Sequence, residues 1–363
     1  MFRPAPNPTP WRAALCLACC VVTGYAGHRL HVPLAWVLGP MLTTAAFAIA
    51  GIKPVAPLVG RRLGQMIIGS SIGLHLTLPV LLHLIGWLPA MAISAVAAVC
   101  CGALLSVGLA RLGGVSSKTA YFCLIPGGLS EMATIGSSVG ARAEPIALSQ
   151  ALRVAVLVCI LPQVILHLGI IGHEPVIETA PILAIKPMLL VIAAALVGVF
   201  IIGTLRFNNP WSIGALFGVA VVTASGYLDG SIPREIYYLG QFLIGITIGA
   251  RFRREIVRKL IRLTWIITGF ILVMMMALLG YAWAMSSLTG IDFASSALAS
   301  SPGGFAEMTV TAQTLHLDVA LVAAFHIFRA FFVNGLATHT WTLFDKIGLS
   351  KLGSRLGAKQ DDT

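Results

Sequence analysis

Residues 124–132 read LIPGGLSEM, and residues 300–308 read SSPGGFAEM. Pro126, Gly127, Gly128, Glu131 and Met132 recur as Pro302, Gly303, Gly304, Glu307 and Met308, each 176 positions later in a chain of 363. Other landmarks keep this register. LGQMIIGSSIG at 63–73 matches LGQFLIGITIG at 239–249 at seven of eleven positions, and Arg153 in ALRVAV aligns with Arg329 in IFRAFF. Trp36 and Gly39 align with Trp211 and Gly214 at an offset of 175, which one small indel explains. Landmarks repeated in the same order restrict the fold to two equivalent halves.

The solvent for those halves follows from composition. The chain is 58% hydrophobic and 10% charged, whereas a soluble domain carries about 25% charged residues. An all-α polytopic membrane protein is expected. The first repeat is placed at 1–172, the second at 181–345, and a basic cytoplasmic tail at 346–363. Residues 1–26 resemble a signal peptide, with Arg3 and Arg12 ahead of an apolar core. Residues 187–206 fill the same place in the second half, so the first segment is read as a retained helix. Apolar segments fall at about 12–30, 33–52, 63–77, 84–110 and 145–171, then at about 187–206, 210–229, 237–250, 263–289 and 319–345, judged against the ~20 residues that span a bilayer. The third of each half is short, and its glycines suggest close helix packing.

The P-G-G element lies between the fourth and fifth segments of each half. If it is re-entrant, each half crosses five times, so the second half is inverted relative to the first. With the N-terminus inside, 19 of the 24 Lys and Arg residues fall inside, six of them in RFRREIVRKLIR at 251–262. Arg29, Lys186 and Arg234 fall outside, while Arg153 and Arg329 lie within spans. That asymmetry obeys the positive-inside rule and predicts ten spans with two re-entrant broken helices, in a bacterial inner membrane, with both termini cytoplasmic.

Proline stops a helix and the glycines free the backbone. In hydrocarbon such a break must be satisfied by protein or water, so it tends to line a cavity. A helix is expected to restart after Gly128 with Ser130 near its N-cap, placing Glu131 in the first turn; Glu307 repeats this after Gly303 and Gly304. Inverted halves carry two such breaks toward the midplane, where transporters bind substrate. Gly127, Gly128, Ser130, Glu131, Gly303, Gly304 and Glu307 are therefore candidate binding residues, the acids for a proton, sodium ion or cationic group. Arg153 and Arg329 are positioned to pair with them. The alternative is that both Glu–Arg pairs only lock the hairpins. Gln65 and Gln241 are further candidates, or simple helix ties.

The seven cysteines are read as small buried hydrophobes and the nine histidines as interfacial. The sequence shows no metal-ligand spacing, nucleotide loop or nucleophile elbow, so no catalytic residue, cofactor or metal is expected. The lipid bilayer and a small solute or ion are the expected partners. The basic stretch 251–262 sets topology and offers a surface to a cytosolic partner; direct nucleic-acid binding would need a reading module that no loop is long enough to hold.

PGGLSEMATIG and PGGFAEMTVTA, with the LGQ…G…G and W-x-x-G segments in register, resemble the AbrB family of Gram-negative membrane proteins over nearly the whole chain. The resemblance implies a membrane regulator of gene expression, a label that replaced ammonia monooxygenase, and brings no binding residues. The residues themselves point to a secondary transporter-like protein with a site for a small charged solute at the repeat interface. An indirectly acting regulator and an oxygenase remain the alternatives.

Overall fold

The computed structural model describes residues 10–52, 54, 56–168, 181–205 and 209–354, with the side chains of residues 10, 129, 130, 353 and 354 excluded. Arg3, Lys53, His173, Arg206, Arg355 and Lys359, which entered the charge and histidine readings, lie outside the described residues, as does the second half of the tail.

Among the described residues the regular structure is helical. The first half contains α1 (Pro10–Arg29), α2 (Ala35–Ala50), α3 (Leu58–Gly73), α4 (Leu78–Gly86), α5 (Leu88–Gly113), α6 (Ser117–Leu124), α7 (Leu129–Ser138) and α8 (Ala143–His167). The second contains α9 (Ile185–Thr204), α10 (Pro210–Ala224), α11 (Arg234–Gly249), α12 (Arg254–Lys259), α13 (Ile261–Thr289), α14 (Phe293–Ser300), α15 (Phe305–Thr314), α16 (Val319–Lys346) and α17 (Leu349–Ser354). Helices α3, α6 and α7 have the same bounds as α11, α14 and α15 once shifted by the sequence offset. The duplication is therefore one of elements as well as letters.

Several elements differ from expectation. The segment at 84–110 is broken at Trp87, because Pro89 sits in the first turn of α5, where its missing N–H costs nothing. Helix α3 begins at Leu58, earlier than position 63, so Arg61 and Arg62 are helical; the Arg62 guanidinium lies 5.1 Å from the Trp211 ring centre. The basic stretch 251–262 folds in part, as α12.

Five helices, α5, α8, α9, α13 and α16, are long and apolar enough to cross a membrane. Phe200, Trp265 and Leu288 on these helices are 71%, 72% and 86% exposed, a surface suited to lipid and costly in water. This is a membrane protein. Helices α2, α3, α10 and α11 have 15 or 16 residues, or about 24 Å at 1.5 Å per residue, short of a ~30 Å core.

The chain forms two compact units, Met1–Leu74 with Ile177–Arg258, and His75–Val176 with Lys259–Thr363. Each unit takes elements from both halves. In the first, packing runs α1–α2–α11–α3–α10–α9, a palindrome of the two halves. Its repeated glycines sit where helices cross. A methyl at Gly39 would strike the backbone of Gly24, and one at Gly214 that of Gly198. Gly69 and Gly73 abut the carbonyls of Ser212 and Leu216; Gly245 and Gly249 abut those of Val37 and Met41. The W-x-x-G and LGQ…G…G motifs are thus close-crossing surfaces.

In the second unit α5, α8, α13 and α16 surround two helical hairpins, α6–α7 and α14–α15. Its core includes Leu109, Tyr121, Phe122, Ile146, Ile267 and Trp341. The α7–α8 turn uses Gly140 at φ 84°, and the α15–α16 turn places His316 at φ 55° in the equivalent position.

Candidate functional site

The two hairpins are built alike. Helix α6 ends because Pro126 pushes Ile125 out of the helical region, to φ −63° and ψ 127°; Pro302 does the same to Ser301, at φ −57° and ψ 145°. The next helices restart from extended N-caps, Gly128 at φ −69° and ψ 147° and Gly304 at φ −78° and ψ 152°. None of the four motif glycines has a positive φ, so conformational freedom is not their use. They make room. A methyl on Gly127 or Gly303 would collide with the buried side chain of Met132 or Met308, and one on Gly128 or Gly304 with the carboxylate of Glu131 or Glu307.

Glu131 and Glu307 are half-buried third residues of α7 and α15, each folded back over its own N-cap glycine. That is the capping-box position, where unpaired N–H groups and the helix dipole favour an anion. Both carboxylates are engaged in interactions. Ser130 is the second residue of α7; its side chain lies outside the described residues.

Arg153 and Arg329 bind the breaks themselves. Arg153 donates from its terminal nitrogens to the Ile125 carbonyl at 3.1 Å and the Gly127 carbonyl at 2.8 Å. Arg329 donates to the Ser301 carbonyl and, at 2.7 Å, to that of Gly303. A second pair of residues, missed from sequence, completes the job. Gln150 Nε2 donates to the Phe122 and Ile125 carbonyls at 3.0 and 3.1 Å, while His326 Nε2 meets the Leu298 carbonyl at 2.9 Å and its Nδ1 meets Arg329 at 2.8 Å. Gln150 and His326 are 176 apart, and each lies three residues before its arginine, on the same helix face. That coincidence was the available signal.

The hairpin ends are tied symmetrically too. Thr119 Oγ1 accepts from the Arg142 amide at 3.1 Å, and Ser295 Oγ from the Asp318 amide at 3.3 Å. Asp318 also caps α16 through the Leu321 amide. Burial raises the pKa of the Asp318 carboxyl from its ordinary value, a shift the Leu321 amide opposes.

Three candidates, Arg153, Arg329 and Glu307, converge. Helix α7 packs on α8 and α16, and α15 on α16 and α8. Arg153 lies within electrostatic reach of both Arg329 and Glu307, and His326 within reach of both arginines. Gln65 and Gln241 belong to the other unit, on α3 and α11; Gln241 is buried and Gln65 half-buried. His326 is buried, not interfacial, because it serves a broken-helix carbonyl. Cys16, Cys20 and Cys123 are buried as expected, but Cys100 is exposed on the lipid-type face of α5. Among the described residues, no three His, Cys, Asp or Glu side chains gather as metal ligands do.

Residues 54–345 match the family described as "Transition state regulatory protein AbrB". The chain is 28% identical to "Uncharacterized protein YhjN" of Bacillus subtilis over 348 residues, covering 88% of this chain and 90% of the relative. It is 26% identical to "Putative regulator AbrB" of Escherichia coli over 307 residues, covering 83% and 87%. A stretch of 132 residues is 31% identical to "Uncharacterized transporter Cgl0590/cg0683" of Corynebacterium glutamicum, covering 33% of this chain and 24% of that one.

Proposed function

The chain belongs to the AbrB family of membrane proteins, and from that premise we propose that it is a secondary transporter-like protein whose second unit receives a small charged solute where its two hairpins converge. The observation that carries this is the cross-packing of α7 on α16 and α15 on α8, with Arg153 of one half in reach of Glu307 of the other. Broken helices facing one another are how membrane transporters expose backbone dipoles and charge to a solute. Half-buried acids at both helix starts add groups that take up a proton or cation during a cycle. The partial similarity to a protein called a transporter supports the same reading. In it the halves are inverted, the protein lies in the inner membrane, and both termini are cytoplasmic, as the basic residues favour.

A thermal-shift screen of small organic acids, amines and monovalent ions, on wild type and the Glu131→Gln/Glu307→Gln double variant, tests it. A ligand at 100 times its Kd stabilises by about 2.7 kcal/mol. The expected result is a solute that raises the wild-type Tm, leaves the double variant unmoved, and crosses proteoliposomes only with wild type. Equal stabilisation of both proteins sinks the proposal.

A regulator acting indirectly is the second reading. The E. coli relative's name and the exposed Arg253, Arg254, Arg258 and Lys259 favour it. It is distinguished by ligand binding without flux and by capture of a cytosolic partner on residues 251–262.

A further inference from the structure

Arg153 and Arg329 are 3% and 6% exposed, and in each the Nε–H has no hydrogen-bond partner among the described residues. Their terminal nitrogens are meanwhile bonded to carbonyls. Buried donors left without an acceptor are rare in folded proteins and call for an explanation. Here the same atom is left over twice, at positions 176 apart. A guanidinium has donors only and does not give up its proton, so nothing but an acceptor satisfies it.

The kind of acceptor follows from charge. The two guanidiniums are close enough to act on one another, and at Arg153 the like charge of Arg329 outweighs the opposite charge of Glu307. Like charges repel strongly where water is excluded. A water molecule would accept from Nε–H but leave that repulsion in place; an anion relieves both. The site's own acids do not fill the role at Nε, since Glu131 and Glu307 are folded back over Gly128 and Gly304 at the heads of their helices.

We infer that the hairpin centre binds one small monovalent anion, a halide or the carboxylate of a small organic acid, against the Nε–H edges of Arg153 and Arg329. This rests on the hairpin site of the transporter reading and gives the solute its sign: the arginines take the anion, and the acids carry the accompanying proton or cation.

The test is equilibrium dialysis of the purified full-length protein with radiolabelled chloride and radiolabelled formate, at constant ionic strength set by sulfate. Saturable binding of one anion per chain is expected. It should weaken roughly tenfold or more in Arg153→Lys and Arg329→Lys, which keep the charge but lose the Nε–H, as the loss of one charge-assisted hydrogen bond predicts. Displacement of chloride by formate identifies the solute's carboxylate. Chloride binding that formate leaves untouched identifies a resident halide. Both outcomes support an anion site. No saturable binding of either ion by wild type overturns it, as does undiminished binding in the folded lysine variants; if those variants do not fold, the wild-type isotherm decides. Because dialysis requires no transport, anion binding without flux retains this inference and removes the transporter reading. Glu-dependent flux without anion binding does the reverse.

Discussion

Position 326 holds a histidine where its counterpart, 150, holds a glutamine. The Leu298 carbonyl can only accept, so His326 carries its proton on Nε2 and offers the Nδ1 lone pair to Arg329. A second proton would set one cation against another, so the ring serves as a neutral bridge. Gln150 does the carbonyl half of that work with an amide. His326→Gln keeps the carbonyl bond and loses the one to Arg329, so it should cost about 0.5–1.5 kcal/mol, the usual worth of one hydrogen bond. His326→Ala should lose about 1–3 kcal/mol, because a buried carbonyl is orphaned. Reversible unfolding in detergent measures both; a glutamine variant as weak as the alanine variant contradicts the bridge. Neither residue was singled out from sequence, for a physical reason. Their partners are backbone carbonyls, which carry no letter, and a glutamine matched to a histidine breaks the identity by which the repeat was read. The arginines were legible as functional candidates, but their carbonyl partners were hidden in the same way.

Each hairpin is held at its base by one hydroxyl. Thr119 is fully buried, its amide capped by Ser116, and its own oxygen ties the Arg142 amide to the first turn of α6. Thr119→Val keeps the shape and removes the acceptor. It should cost about 1–3 kcal/mol and speed hydrogen exchange at Arg142 while leaving the α5 amides unchanged. Unchanged exchange at Arg142 would show that the tie carries no strain from the turn. At this scale much was legible. The P-G-G breaks, the helices that follow them and the order of elements in each half come directly from proline chemistry and apolar run length. The break at Trp87 and the helical α12 were not. A hydropathy window slides across Gly86 and Pro89 without seeing that they fall between two helices, and a six-residue basic helix has no apolar stripe to announce it.

Across the whole molecule, the charges at equivalent hairpin ends differ in sign. Arg142 begins α8 and Asp318 begins α16, in the same structural position. If the halves are inverted, these ends face opposite sides of the bilayer, and the arginine belongs on the cytoplasmic side. The duplication itself was legible because matched letters kept a constant register. How the halves share their packing was not, since helices from both halves make up each unit and sequence proximity says nothing of that exchange. Inversion is the claim on which the converging site depends, and sidedness tests it most directly. The seven native cysteines are replaced, and a single cysteine is placed at Ser138, at the end of α7, or at Thr314, at the end of α15. Sealed right-side-out vesicles are then treated with a membrane-impermeant maleimide. The prediction is labelling of Thr314→Cys from outside, and of Ser138→Cys only after the vesicles are opened. Labelling of both from the same side would contradict it.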